Sequence, residues 1–255
     1  MNTSTMNLQG KVAVVTGGAR DIGRAISVNL ASKGAKVVVN HLNNPDDATT
    51  TLALIKEAGG EAIAVKGDMT SKADIDALAA ATKEAFGDAV HYLVNVAGGL
   101  VARKTLAEMD EDFLNFVVRL NLNSVFLVSQ AIVPMMPEGS AIVNFSSQAA
   151  RDGGGPGAGA YAAAKGAVMT YTRSMAKELG PKGIRVNALT PGMINTTFHD
   201  TFTKDAVREK VAAATPLRRE GEADEVADLV VYLLSDQASF VTGNNIDING
   251  GLAFS

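Results

Sequence analysis

Three residues of this chain could together carry out a proton transfer: Ser147, Tyr161 and Lys165. Tyr161 and Lys165 stand four residues apart in GAYAAAKGAV, and Ser147 ends an apolar run fourteen residues before Tyr161. In a helix over 161–168, this spacing places the phenol and the ammonium on one face. A nearby cation stabilises a phenolate and lowers the tyrosine pKa from about 10 towards the working pH, which makes the residue a usable general acid or base. The same pair also occurs at the edge of ordinary amphipathic helices, so the rest of the sequence has to distinguish the two interpretations.

Composition excludes several classes of function. The 255 residues are 47% hydrophobic and 20% charged, which is enough for one large α/β domain with a sizeable core. The absence of cysteine excludes disulfides and thiolate chemistry and fits a reducing, cytoplasmic location. A net charge of −4 without a Lys/Arg run argues against nucleic-acid and membrane partners. Three histidines without a carboxylate cluster show no metal-ligand spacing, so no metal is expected.

Short β-branched runs alternate with longer helical patterns along the whole chain. The predicted strands are 12–16, 36–40, 61–66, 91–95, 141–146, 185–190 and 245–248. The predicted helices are 22–33, 46–58, 72–86, 111–135, 160–179, 203–213 and 223–235. This alternation predicts a Rossmann-type, doubly wound α/β fold, in which helices cover both faces of a seven-stranded parallel sheet. Residues 8–255 are predicted to form one domain after an N-terminal tail of residues 1–7, and the apolar runs are expected to be too short to span a bilayer.

A glycine turn joins the first predicted strand to the first helix. It reads TGGARDIG over 16–23, where Gly17 permits the turn and Gly23 permits close contact between helix and strand. Such a turn lets backbone N–H groups and the helix N-terminus approach a pyrophosphate. Any strand-to-helix turn favours glycine, so the glycines alone are weak evidence for a nucleotide site. Their position directly after strand one makes the motif more specific.

The order of short motifs resembles that of the short-chain dehydrogenase/reductase family. The matching positions are the glycine turn, Asp68, Asn95-Val96-Ala97-Gly98, Asn121, Ser147, Tyr161, Lys165 and Pro191-Gly192. Each motif is common by itself, but the ordered combination is specific, and it covers the chain from about residue 8 to the end. The sequence departs from the family pattern at two positions: Asp21 replaces a glycine of the turn, and Val96 replaces the second asparagine of NNAG.

The resemblance implies a role for each catalytic residue. Tyr161 would exchange a proton with the substrate oxygen, and Ser147 would hydrogen-bond to the same oxygen. Lys165 would hold the nicotinamide ribose and lower the pKa of Tyr161. Asn121 would anchor a water molecule in the proton relay, although a polar residue on a solvated helix face is the alternative. Ser146 competes with Ser147, and the family pattern favours the second serine of the pair.

The resemblance also implies a nicotinamide cofactor and a homotetramer. The predicted cofactor residues are Gly17, Arg20, Asp21, Ile22, Gly23, Asn40, His41, Asp68, Met69, Asn95, Ala97, Gly98, Tyr161, Lys165, Pro191, Gly192, Ile194 and Thr196. The second strand ends without an acidic residue that would bind ribose hydroxyls and repel a 2′-phosphate. Arg20 in the turn favours a 2′-phosphate, unless it is a solvated residue at the start of the helix. NADP(H) is therefore predicted in preference to NAD(H).

Substrate contacts are expected from 98–105, 148–159 and 193–202, which follow strands four, five and six. These segments contain few large apolar side chains, so a small, polar, anionic carbonyl compound is predicted rather than a steroid or a long acyl chain. The polar candidates are Arg103, Lys104, Gln148, Arg151 and His199. The predicted substrate-binding residues are Arg103, Ser147, Gln148, Tyr161 and His199, with Arg103 the first choice for a carboxylate and Lys104 and His199 behind it.

Two strings narrow the substrate prediction. GGLVARK before Thr105 and GGPGAGAY ending at Tyr161 are similar to reductases of alginate breakdown. Those enzymes reduce 4-deoxy-L-erythro-5-hexoseulose uronate to 2-keto-3-deoxy-gluconate. A 3-oxoacyl-[acyl-carrier-protein] reductase and a sugar or polyol dehydrogenase share the same core motifs and stay open as alternatives. A cofactor-binding scaffold without chemistry is a more distant one.

Overall fold

The computed structural model describes residues 6–254. The predicted N-terminal tail therefore lies mostly outside the described residues. Within them, seven parallel strands form one sheet in the order β3-β2-β1-β4-β5-β6-β7, which confirms the predicted doubly wound architecture. The strands are β1 (Val12–Thr16), β2 (Lys36–His41), β3 (Glu61–Lys66), β4 (Tyr92–Asn95), β5 (Ala141–Phe145), β6 (Arg185–Pro191) and β7 (Asn245–Ile248).

Helices cover both faces of the sheet. They are α1 (Asp21–Ser32), α2 (Pro45–Glu57), α3 (Lys72–Phe86), α4 (Glu111–Val118), α5 (Ser124–Ile132), α6 (Ala149–Asp152), α7 (Gly159–Leu179), α8 (Thr197–Phe202), α9 (Asp205–Ala214) and α10 (Ala223–Leu234). A π-helical turn (Arg119–Asn123) joins α4 to α5, and 3₁₀ turns occupy Val133–Met135, Gly180–Lys182 and Asp236–Ala238.

The central strands are buried on both faces, as their continuous apolar sequences predict. On one face, Val15 of β1 belongs to a core that contains Leu30 of α1 and Val230 of α10. On the other face, Val14 belongs to a second core, with Leu78 of α3 and Ile132 of α5 among its members. Successive strand residues thus contribute to opposite layers. This burial fixes the carboxyl ends of β1, β4, β5 and β6 side by side.

Two predicted helices differ from the structure, and two short helices were not predicted. The helix predicted over 111–135 contains the π turn, and the one predicted over 203–213 begins at Asp205, after the separate helix α8. The short helix α6 lies in a stretch expected to be loop. α6 and α8 have only four and six residues, too few to show a helical period in the sequence.

The length of one apolar helical stretch was underestimated when all apolar runs were expected to be too short to span a bilayer. Among residues 6–254, Glu111–Met135 is long and apolar enough to cross a membrane by length and composition alone. In the fold it lies beside the sheet: Val128 and Ile132 are buried in the second core, and the π turn buries Asn121. Core helices pass the same test of length and composition. Phe116 and Phe126 nevertheless remain exposed on this stretch.

Candidate active site

A cavity of about 1020 Å³ opens at the carboxyl ends of the strands. β1 and β4 are neighbours in the sheet although β2 and β3 lie between them in sequence. Strands β2 and β3 extend the sheet on one side of this pair, and β5 to β7 extend it on the other, so the strand order switches direction here. Crevices at such switch points are where open α/β sheets bind ligands. The cavity wall includes the glycine turn, the carboxyl ends of β2, β5 and β6, and residues of α7, α8 and α9.

Tyr161 and Lys165 face this cavity from the first turns of α7. Their i, i+4 spacing places Lys165 Nζ 5.8 Å from the centre of the Tyr161 ring. Lys165 is buried and donates a hydrogen bond of 2.7 Å to the Phe145 carbonyl oxygen at the end of β5. The sequence prediction that both residues reach one site is therefore confirmed by the structure.

The pKa shifts of this pair run against one prediction. Burial raises the pKa of Tyr161, with a hydrogen bond to Ser147 acting in the opposite direction, whereas the sequence suggested that Lys165 would lower it. The ammonium bonds to the Phe145 carbonyl oxygen rather than to the phenol, and the causes of the Tyr161 shift do not include Lys165. Burial also lowers the pKa of Lys165 to about 8. Tyr161 is consequently held protonated at neutral pH, the form that donates a proton.

The structure distinguishes the two adjacent serines. Ser146 is buried and donates to the Lys165 carbonyl oxygen at 2.8 Å, which ties β5 to α7. Ser147 is partly exposed to the cavity and hydrogen-bonds to Tyr161. Its Oγ also accepts a hydrogen bond from the Ala149 N–H at 3.2 Å. Ser147, the serine chosen from the sequence, therefore lies beside the phenol.

Asn121 is fully buried in the π turn and does not line the cavity. Its Oδ1 accepts from the Gly99 N–H at 2.9 Å, and its Nδ2 donates to the carbonyl oxygens of Gly99 and Val117. The side chain thus holds the segment after β4 in place. The alternative of a solvated helix face was wrong, because Asn121 is buried, and its role in a proton relay stays a prediction.

The glycine turn has no room for larger residues. Gly17 has φ +63°, and a Cβ added at Gly23 would lie 2.0 Å from the Gly17 carbonyl oxygen. The Gly17 N–H donates to Asn40 Oδ1 at 3.1 Å, and Asn40 Nδ2 donates to the Gly67 carbonyl oxygen at 3.0 Å. Asn40 therefore connects the turn to the ends of β2 and β3. A backbone this close to the cavity suits a ligand that approaches the main chain, as a pyrophosphate does.

Asn95, another predicted cofactor residue, is held in the core by side-chain hydrogen bonds. It is buried at the end of β4, does not line the cavity, and donates to Asn144 Oδ1 at 2.9 Å and to Ser129 Oγ. Side chains alternate along a strand, so Val96, the next residue, faces the cavity instead. Asn95 Oδ1 is a buried oxygen without a hydrogen-bond partner.

Every other predicted cofactor residue lines the cavity. Beyond them, the wall includes Asn43, Asn44 and Asp47, which the sequence analysis missed and which follow the carboxyl end of β2. Asp47 forms an ion pair of 2.9 Å with Arg24. The side chain of Arg20 is 66% exposed at the rim. Burial and the nearby Lys66 lower the pKa of His41, whose buried Nδ1 has no hydrogen-bond partner.

These features fit a dinucleotide. The glycine turn admits a pyrophosphate against its backbone, and an adenosine would lie towards Asp68, Met69 and the unpartnered His41 nitrogen. On the other half of the sheet, the end of β6 and the segment after it also line the cavity, with Pro191, Gly192, Ile194 and Thr196. Among residues 6–254, no cluster of His, Asp and Glu could hold a metal ion.

The substrate end is more apolar than the sequence suggested. Its wall includes six aliphatic, thioether or aromatic side chains: Leu100, Met193, Phe198, Val207, Val211 and Leu252. The Phe198 ring lies 6.2 Å from the Tyr161 ring. The expectation of few large apolar side chains was wrong because three of them come from α9 and the C-terminal segment. Neither of these lies within 98–105, 148–159 or 193–202.

The polar side chains predicted to bind the substrate line the cavity, but contacts within the protein or the lack of a charge limit their capacity to bind an anion. Arg103 lines the cavity, but its Nε donates to the Phe202 carbonyl oxygen and its Nη1 to the Pro156 carbonyl oxygen, both at 3.1 Å. His199 lines the cavity too, and burial is the main cause that lowers its pKa, so it is neutral at pH 7. Gln148 lines it and accepts from Asn249 at 2.9 Å.

Two other basic candidates face away from the cavity. Lys104 lies over the Phe113 ring, 4.6 Å from its centre, and forms an ion pair with Asp110. Arg151 is bound to Asp247 and to the Asn245 carbonyl oxygen on β7. Neither lines the wall. Lys104 was therefore wrongly ranked as a reserve ligand for a carboxylate.

Asp21 has an unusual backbone and a distant partner. Its φ is +49°, a region that glycine adopts freely and that aspartate tolerates better than most residues. Oδ1 accepts from the Thr197 N–H at 3.0 Å, and Oδ2 accepts from the Thr197 hydroxyl at 2.6 Å. An aspartate at the first position of α1 could also turn to solvent or cap α1 itself. Instead it caps α8, on the other side of the cavity.

The known proteins that this chain resembles are named as reductases, oxidoreductases and dehydrogenases. A family model described as Enoyl-(Acyl carrier protein) reductase matches residues 17–253. An uncharacterised oxidoreductase of Escherichia coli, YgfF, is 38% identical over 245 residues, with 94% of this chain and 99% of that protein covered. A 3-oxoacyl-[acyl-carrier-protein] reductase of Synechocystis is 36% identical, covering 96% of this chain and 98% of that protein. A short chain dehydrogenase of Burkholderia cenocepacia in complex with NADP superposes with a TM-score of 0.90 at 32% identity, covering 96% of this chain and 99% of the other.

Proposed function

The chain belongs to the short-chain dehydrogenase/reductase family and is an NAD(P)-dependent oxidoreductase, and from this premise we propose that it reduces a small carbonyl compound. One observation carries the proposal. Tyr161, Ser147 and Lys165 line the same cavity as a glycine turn that has no room for a Cβ at Gly23. A proton donor and a dinucleotide site in one crevice are what hydride transfer to a carbonyl requires.

The residues divide the chemistry between them. When bound, a reduced nicotinamide cofactor would supply the hydride for the carbonyl carbon. Tyr161, held protonated by burial, donates its phenolic proton to the carbonyl oxygen. Ser147, which hydrogen-bonds to the phenol, steadies the charge that develops on that oxygen. Lys165 borders the same space and would hold the nicotinamide ribose. The balance is one hydride and one proton added to C=O, which gives an alcohol.

The proposed cofactor is NADP(H), with NAD(H) the alternative. β2 ends Val39-Asn40-His41, without the acidic residue that would repel a 2′-phosphate, and Arg20 stands exposed at the rim of the cavity. A guanidinium can form paired hydrogen bonds with a phosphate. The NADP complex of the Burkholderia cenocepacia relative supports this choice.

Different parts of the cavity wall support two different substrate classes. Arg103, the cation predicted to bind a carboxylate, supports an anionic keto-aldehyde such as 4-deoxy-L-erythro-5-hexoseulose uronate. The apolar wall around Phe198 and Met193 supports a substrate with an aliphatic part, such as a 3-oxoacyl thioester. The name of the Synechocystis relative supports this second candidate.

A substrate screen with matched variants tests the proposal. NADPH and NADH oxidation would be followed with the keto-uronate, an acetoacetyl thioester, simple sugars and aliphatic aldehydes. Tyr161→Phe should lower turnover of the best substrate by about 10²–10⁴-fold, the usual contribution of a general acid. Tyr171→Phe, on the same helix but packed against Phe126, should keep it. Nucleotide binding without turnover of any carbonyl would reject the reductase and favour a scaffold.

Arg103→Ala separates the two substrate classes. Loss of a carboxylate ligand should raise the KM for the keto-uronate and leave the KM for a neutral aldehyde unchanged. An equal effect on both would remove the reason for proposing an anionic substrate.

We further propose a cytoplasmic homotetramer. Phe116, Phe126 and Leu114 leave apolar surface exposed on α4 and α5, and such patches are often covered in oligomers. The absence of cysteine fits a reducing compartment. Light scattering on the purified chain tests the oligomer, and a monomer mass at working concentration would contradict it.

A further inference from the structure

We propose that Asp21 is a positioning residue that fastens α8, one wall of the substrate pocket, to the glycine turn of the nucleotide site. Both carboxylate oxygens of Asp21 bind one residue that lies 176 positions away in sequence. Thr197 supplies both donors, its backbone N–H and its hydroxyl, at the first position of α8. We refer to this pair of hydrogen bonds as the Asp21–Thr197 latch.

α8 depends on Asp21 for its cap. The first N–H groups of a helix have no partner within it and need an external acceptor. Thr196, the residue before α8, donates its hydroxyl to the Ile194 carbonyl oxygen and makes no side-chain cap. A carboxylate accepts more strongly than a neutral group, so the latch replaces a local cap with a stronger distant one.

The latch holds residues that face the reacting group. Phe198 and His199 follow Thr197 directly and line the cavity, and the Phe198 ring packs 6.2 Å from the Tyr161 ring. At the other end of α8, the Phe202 carbonyl oxygen accepts from Arg103. Releasing the first turn of α8 would therefore free the Phe198 side of the pocket while its far end stays tethered.

Asp21 also lies where the nucleotide site begins. It lines the cavity in the glycine turn, and Arg20 Nε stands 3.8 Å from its Oδ2. The carboxylate is turned towards Thr197, so its oxygens accept hydrogen bonds from α8, with the Arg20 guanidinium at ion-pair distance, rather than facing a pyrophosphate freely. This gives the positive φ of Asp21 a physical reason, since the side chain at this position connects the two halves of the site.

The inference rests on the proposed function for its kinetic test. Asp21→Gly restores the residue that the turn geometry favours and removes the latch, and Thr197→Val removes the hydroxyl at nearly constant shape. Each should raise the KM for the carbonyl substrate, by about 5- to 30-fold for Asp21→Gly, while kcat changes less and the nucleotide Kd does not rise. Thr201→Val is the matched control, because the Thr201 hydroxyl bonds only to the Thr197 carbonyl within α8.

A double-mutant cycle tests the coupling between the two residues. In Asp21→Gly/Thr197→Val, the second change should add little to the first, because both break the same contact. Additive effects would overturn the latch, and so would an unchanged KM in Asp21→Gly. A nucleotide Kd that weakens as much as the substrate KM would instead assign Asp21 to the cofactor alone and equally overturn the inference.

A second measurement does not depend on turnover. Amide hydrogen exchange over 197–202 should be faster in Asp21→Gly than in the unmodified chain, with or without nucleotide, and unchanged in α10. Equal exchange over 197–202 would overturn the latch even if the enzyme is active. Faster exchange together with no activity in the unmodified chain would support the latch and reject the proposed reductase.

Discussion

The buried lysine is the residue whose surroundings differ most from those of an isolated side chain. Lys165 has lost its water, and its Nζ bonds to the carbonyl oxygen of Phe145, an uncharged acceptor. Without a carboxylate partner, burial disfavours the cation and lowers the pKa to about 8. Holding this ammonium close to Tyr161 therefore costs folding stability at neutral pH, in return for a cation at the site of chemistry.

This burial predicts a particular pH dependence of stability. The unfolded chain keeps the Lys165 proton up to its ordinary pKa of about 10.4, whereas the folded chain releases it near 8. Between these values the unfolded state binds more protons, so the contribution of Lys165 to the free energy of unfolding rises with pH, by at most about 1.4 kcal/mol per pH unit. Below pH 8 the full penalty applies.

Urea unfolding of the wild type and Lys165→Met at pH 7.5, 9 and 10 measures this contribution. The stability of the wild type relative to the variant should increase along the series. Lys177→Met, an exposed position on α7, serves as the control for loss of a cation. A wild-type–variant difference that stays flat across this range would contradict the assignment.

At the scale of elements, the turn from β1 into α1 determines whether a nucleotide can bind. Helix and strand approach so closely that a Cβ at Gly23 would lie 2.0 Å from the Gly17 carbonyl oxygen. The backbone itself has to move to accept a larger residue there. By contrast, a Cβ at Gly166 on α7 would meet no atom within 4 Å.

The pair of glycines gives a matched test. Gly23→Ala should displace the turn and weaken nucleotide binding by about tenfold or more, since the pyrophosphate contact depends on the backbone path. Gly166→Ala should leave binding unchanged and raise the free energy of unfolding by about 1 kcal/mol, because alanine favours a helix over glycine. Fluorescence titration with NADPH and urea unfolding measure the two effects. Normal NADPH affinity in Gly23→Ala would mean that the turn does not contact the cofactor.

For the whole molecule, the cavity connects the half of the sheet formed by β1–β3 with the half formed by β4–β7. A ligand that spans it contacts residues from the glycine turn to Thr196, far apart in sequence, and the unfolded chain cannot offer these together. Nucleotide binding should therefore stabilise the folded state.

Thermal unfolding measures this stabilisation and the cofactor preference together. At about 100 times its Kd a ligand adds about 2.7 kcal/mol, which corresponds to a rise in Tm of about 5–10 °C for a domain of this size. At equal concentration NADPH should raise the Tm more than NADH, and Arg20→Ala should reduce that difference. Equal shifts for both nucleotides that do not respond to Arg20→Ala would contradict the NADP(H) preference.

The sequence alone determined the fold class, the strand positions to within about two residues and the membership of most of the site. Strand and helix periods are local properties, and the carboxyl ends of parallel strands must meet at one edge of the sheet. Gly17, Ser147, Tyr161 and Lys165 could thus be placed in one crevice before their distances were known, and the structure places them there.

Only the tertiary structure decided where individual side chains point and what they touch. Asn95 faces the core while Val96 faces the cavity, and Asp21 caps a helix that begins 176 residues later. The apolar wall includes Val207 from α9, and Lys165 bonds to a carbonyl instead of to the phenol beside it. Residue spacing reports order along one segment, whereas these contacts depend on how distant segments pack against each other, and that packing exists only in the folded chain.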